Sequence, residues 1–154
     1  MTTLQEGWYL HALSVAMRLH KGRIDASGQP RWLHNQQTAH HLTGRWPYGL
    51  TREVVEAAVL YDVLAAGAQM HELRQLSIRA GVIGIVQACT PPPELDRGDF
   101  LRRLSDAGDD DALRILTAAA LDRLDPDRGY PCDVRARARL DLNILQPALR
   151  EQVA

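Results

Sequence analysis

Apolar residues recur along most of this chain at three- and four-residue steps, the spacing of helices with one buried face. Leu4, Trp8, Ala12, Val15, Ala16 and Leu19 predict a first amphipathic helix ending near Gly22. Gly22 to Pro30 reads as a loop from its Gly, Ser and Pro content. A second helix is expected from about His34 to Gly44 or Arg45, followed by a turn at Pro47-Tyr48-Gly49. Thr51 suits an N-cap, with Glu53 in the first turn of a third helix. That helix carries Val54, Val55, Ala57, Ala58, Val59, Leu60, Val63 and Leu64 through about Ala66. Apolar on most sides, it is expected to form the centre of the core.

The remaining chain continues the helical pattern. Met70 to Ala80 predicts a short helix stopped by Gly81. Val82 to Thr90 has β-type residues, but a lone strand would lack a partner, so helix is expected up to Pro91-Pro92-Pro93. A sixth helix is expected over Asp99 to Ala107. A seventh, capped by Asp109, Asp110 or Asp111, runs to about Leu124 before Pro126. Val134 to Leu142 alternates at period two, yet its Ala and Leu content favours helix, with Pro147 kinking or restarting the last turns. The expectation is an all-α bundle of about seven to eight helices, with residues 1–154 forming one domain.

Composition narrows the class. The 154 residues suffice for one core. Apolar content of 45%, charged content of 24% and a net charge of -1 give no bias toward nucleic acid or an anionic membrane. Arg135, Arg137 and Arg139 lie beside Asp133 and Asp141, as on a solvated face. Cys89 and Cys132 lack metal-site spacing and are expected to be free, structural thiols. Glu6 and Trp8 interrupt any apolar leader, and no apolar run would span a bilayer, so a cytoplasmic location is expected.

Few residues stand out as chemistry. Asp62 sits in the most apolar helix, where a carboxylate requires a metal or a paired cation such as Arg. His34 could be a helix-start surface residue or a ligand. Asp122 could lie on a solvated face beside Arg123. The adjacent pair His40-His41 diverges by about 100° on a helix and chelates one ion poorly. Phosphate-loop, dinucleotide, nucleophile-elbow and zinc-protease motifs are absent.

Their order and spacing carry a resemblance. His20-x-Gly22, Gly28-x-Pro30 and His34 precede Tyr61-Asp62, and Leu121-Asp122-Arg123-Leu124 follows. From about Leu13 to Asp125 the chain resembles the HD-domain hydrolases of the alarmone (p)ppGpp, the enzymes of the stringent response. The resemblance implies metal ligands at His34, Asp62 and Asp122, with Mn or another divalent ion activating water against phosphorus. It also implies a His where this chain has Tyr61, whose phenol, with a pKa near ~10, would have to ionise to bind well. The family's acidic pair is replaced by Ala65 and Ala66, which cannot transfer protons. Its nucleotide-holding residues read Arg23, Asp25, Ala26 and Arg31 here, and two later ones Ala119 and Pro126.

The expectation is therefore a pseudoenzyme that binds or regulates. Arg23 and Arg31 would hold a guanine nucleotide or another phosphorylated small molecule, or one of them would pair with Asp62 and fill the metal's place. A protein partner or homodimer is the other expected role. The alternative is a phosphohydrolase working through three ligands.

Overall fold

The structure, a computed structural model, describes residues 7–153, with side chains through residue 149. Leu4, assigned above to the first helix, lies outside them. Eight α-helices and no strand occur among the described residues: α1 (Leu10–Leu19), α2 (Arg31–Arg45), α3 (Arg52–Leu60), α4 (Met70–Gln75), α5 (Ala80–Ala88), α6 (Arg97–Ala107), α7 (Asp110–Leu124) and α8 (Cys132–Val153). The all-α class is as expected. No helix is long and apolar enough to cross a membrane among the described residues.

Helix α3 is the centre of the bundle. Every residue from Val54 to Leu60 is buried, and α1, α2, α5 and α7 all pack on it. Thr51 caps it as expected, its hydroxyl accepting from the Val54 N–H. Helix α2 packs most extensively on α7, and α8 closes the bundle against α6 and α7. The core between them is built from small and aliphatic residues such as Ala39, Leu42, Ile115, Ala118 and Leu145.

Several boundaries differ from expectation, each for a local reason. Helix α3 ends at Leu60, not Ala66. The Asn35 side chain donates to the Val59 carbonyl, which would otherwise take the Val63 N–H. That N–H turns to Leu60 instead, and the chain leaves the helix in tight turns through Gly67. Helix α2 begins at Arg31, because Pro30 has φ -56° and ψ 136° and initiates the helix directly. Gly81 stops nothing. The break falls at Leu76 and Ser77, where Ser77 takes φ 63°. Gly81 lies in the first turn of α5, where an added Cβ would collide with the Glu53 carboxylate. Helix α6 starts at Arg97, two residues early, because Asp96 accepts from Gly98 and Asp99. Helix α8 is continuous from Cys132 through Pro147. Cys89 is buried and Cys132 exposed, so only the first is a core thiol.

The 22–30 loop folds back on itself and places the site's first cation. Gly22 and Gly28 take φ 78° and 82°, open to glycine without strain. The Arg31 N–H donates to the Arg23 carbonyl and Asp25 N–H to the Gln29 carbonyl. Arg23 and Arg31 therefore flank one narrow loop at the mouth of α2.

Candidate functional site: a buried ionic network

Three helices meet around His34. It lies on α2 and is 1% exposed, not the surface residue its position at a helix start allowed. Its Nδ1 is 2.6 Å from Asp122 Oδ2 on α7. Its Nε2 is 2.7 Å from the Tyr61 hydroxyl, just beyond α3. An ionised carboxylate only accepts, so Nδ1 carries the proton and donates to Asp122. Burial holds the imidazole below its ordinary pKa of 6.5, against the opposing pull of Asp122. The neutral ring leaves Nε2 bare, and Tyr61 O–H donates to it. The hydrogen-bond partners on the two sides of the ring fix this tautomer. The Tyr61 oxygen in turn accepts from Arg123 Nη2 at 3.1 Å. Burial raises the Tyr61 pKa, although the Arg123 charge opposes it. The phenol stays protonated.

Asp122 is fully buried rather than solvated. Arg128, on the short 3-10 turn Pro126–Arg128, donates from Nε to Asp122 Oδ1 at 2.8 Å and from Nη2 to Oδ2 at 3.3 Å. Burial alone would raise the Asp122 pKa, but the His34 and Arg128 hydrogen bonds outweigh it and hold the carboxyl below its ordinary range. Arg128 also donates to Gln29 Oε1 and Tyr130 OH. Tyr130 donates to Asp25 Oδ2 at 2.7 Å. The loop and the end of α7 are thereby joined.

Asp62 has a separate set of partners. Its Oδ1 accepts from Asn35 Nδ2 at 2.7 Å and lies 3.1 Å from His20 Nε2 at the end of α1. Its Oδ2 accepts from Arg31 twice, at 3.0 Å from Nε and 2.7 Å from Nη2. Burial would raise the pKa, but the His20 hydrogen bond and the Arg31 charge hold the carboxyl well below the usual range. Of the two arginines, Arg31 is the one that pairs with Asp62. Arg23 is exposed and lines an open hollow of about 390 Å³ with Ile24, Arg31, Asp62, Ala65 and Ala66.

The structure thus gathers His34, Tyr61 and Asp122 into one chain of hydrogen bonds and places Asp62 beside it through the neighbouring Asn35. It adds residues that the sequence did not single out for the site: Asn35, Arg123, Arg128 and Tyr130, with His20 as a partner of Asp62. Their signal was adjacency. Asn35 follows His34, Arg123 follows Asp122, and Arg128 and Tyr130 come soon after the end of the same helix.

A divalent ion needs lone pairs that these donors have already committed. Both His34 nitrogens, both Asp122 oxygens and both Asp62 oxygens have partners within the protein. No group of three or more His, Cys, Asp or Glu among the described residues is arranged to hold a metal. As they stand, His34, Asp62 and Asp122 do not fit a metal centre, and Tyr61 donates where a ligand would have to accept. The network also balances its own charge. Asp25, Asp62 and Asp122 are matched by Arg31, Arg123 and Arg128. Comparison with family models and with curated proteins finds no match to this chain.

Proposed function

We propose that this chain is a degenerate HD-like domain that binds a phosphorylated small molecule, a guanine nucleotide such as ppGpp being the candidate, without hydrolysing it. The observation that carries the reading is the Arg31–Asp62 pair. A guanidinium stands against the carboxylate that a phosphohydrolase would give to its metal. Beside it, Ala65 and Ala66 offer only methyl groups, so no side chain there can serve as general acid or base. Arg31 walls two hollows. One contains Arg23. The other, of about 380 Å³, contains Arg97, Arg123 and Arg137 together with Asp133 and Asp141. Both volumes are within the range of small-ligand sites. Guanidinium groups match phosphate oxygens in geometry and charge, which supports anion binding over chemistry.

The test has two arms. Incubation of ppGpp with the purified protein and Mn should release no pyrophosphate above a metal-only control. EDTA-sensitive turnover would instead favour a phosphohydrolase using His34, Asp62 and Asp122. Calorimetric titration with ppGpp and GTP should show micromolar binding to at least one. Arg23→Ala should weaken it by about tenfold, the effect of roughly one lost charge-assisted hydrogen bond. Absence of heat with both nucleotides would sink the binding reading.

A further inference from the structure

The Asp62 oxygens divide their partners unequally. Oδ1 is satisfied from within the core by Asn35 and His20. Oδ2 receives the two Arg31 bonds. The Asp62 side chain is 6% exposed and that of Arg31 34%. The guanidinium therefore stands between a buried anion and an open hollow, like a bound ion that happens to be attached to the chain. We propose that Arg31 is a tethered cation filling a latent cation site on Asp62, and that its removal opens the site to a free guanidinium ion.

The chemistry of the surroundings selects the ligand. A buried carboxylate stripped of its only guanidinium partner attracts a replacement cation. A planar ion with N–H donors can reproduce the two bonds to Oδ2 and fit the vacated shape. A divalent metal would gain one freed carboxylate oxygen, beside the unpartnered Asn35 Oδ1, but neither His34 nor Asp122. His34 is held by Asp122 and Tyr61, and Asp122 by Arg128. Ala65 and Ala66, on the same hollow, supply no donor. Arg23 also lines that hollow and could swing onto Asp62 once Arg31 is gone. The experiment therefore removes it first.

The comparison is between Arg23→Ala and the double variant Arg23→Ala/Arg31→Ala. Melting temperatures are followed in millimolar guanidinium chloride, with NaCl at matched ionic strength and MnCl₂ as controls. The concentrations are far below the molar range in which guanidinium denatures. The double variant should melt about 5–10 °C lower than the single one, since a buried carboxylate loses its cation. Guanidinium should recover most of that loss saturably, whereas NaCl and MnCl₂ should not. The single variant should ignore all three salts and EDTA. Equal melting of the two variants, absence of a guanidinium-specific rise, or recovery by Mn would each overturn the proposal. Should the double variant not fold, Asp62→Asn is added to it. Recovery of folding supports the tethered-cation role, because both charges are then gone. Continued failure overturns it, because Arg31 then serves packing alone. No nucleotide is present, so the outcome is separable from that of the proposed ligand binding.

Discussion

At the scale of single residues, Tyr61 determines what this site is. A phenol between His34 and Arg123 both donates and accepts, so it closes a chain that runs from Asp122 through His34 to a guanidinium. An imidazole at that position would offer a lone pair to a metal, whereas the phenol commits its proton to His34 Nε2 and its oxygen to Arg123. Tyr61→Phe should keep the ring packing, including its edge contact with His34, but strand His34 Nε2 and remove an acceptor from Arg123. A buried polar atom left unpaired costs about 1–3 kcal/mol. Urea denaturation at neutral pH should show a loss of that size. A variant within about 0.5 kcal/mol of the parent, the ordinary scatter of neutral substitutions, would mean that the phenol is not holding the network.

At the scale of elements, the sequence disclosed what is periodic and hid what is competitive. The apolar run from Val54 to Leu64 announces the central helix, Thr51 announces its cap, and of the three candidates Asp109, Asp110 and Asp111 the structure makes Asp109 the cap of α7. The end of α3 was not legible, because it depends on Asn35 from another helix taking the Val59 carbonyl. The same holds for the site. His34, Tyr61, Asp62 and Asp122 stand out by residue type and spacing, but their partners do not. Which arginine reaches Asp62 is decided by how the 22–30 loop folds back. Glycine shows the same division. Gly81 and Gly84 both lie in α5, although the sequence points to Gly81 as a helix stop. A Cβ at Gly81 would strike Glu53, while one at Gly84 would meet nothing within 4 Å. Gly84→Ala should therefore stabilise by about 0.5–1 kcal/mol, the cost of glycine in a helix interior. Gly81→Ala should gain less. Melting curves of the two variants check this, and a larger gain at Gly81 would contradict the packing described.

At the scale of the whole molecule, the ionic network makes stability depend on pH in a definite direction. His34 is a base whose folded pKa lies below its ordinary 6.5, through burial and the nearby Arg123 charge. The groups around it are Asp122, Asp62, Tyr61, Tyr130 and Arg123. Between the two pKa values the unfolded chain binds a proton that the folded chain refuses. The His34 contribution is therefore complete above pH 6.5 and is lost as pH falls below it. The slope from this one proton is at most about 1.4 kcal/mol per pH unit. Asp62, Asp122 and Asp25 have folded pKa values below the ordinary 3.8. Their contribution is complete above pH 3.8 and is lost only in stronger acid. Stability should thus decline in two stages on acidification, the first from His34 and the second, steeper, from the carboxylates. Nuclear magnetic resonance isolates the first stage from the other histidines. The His34 ring signals should titrate with a midpoint below 6.5. A midpoint at or above 6.5 would mean that folding does not disfavour the charged ring, and the neutral-ring donor order from Asp122 to Arg123 would then lose its support.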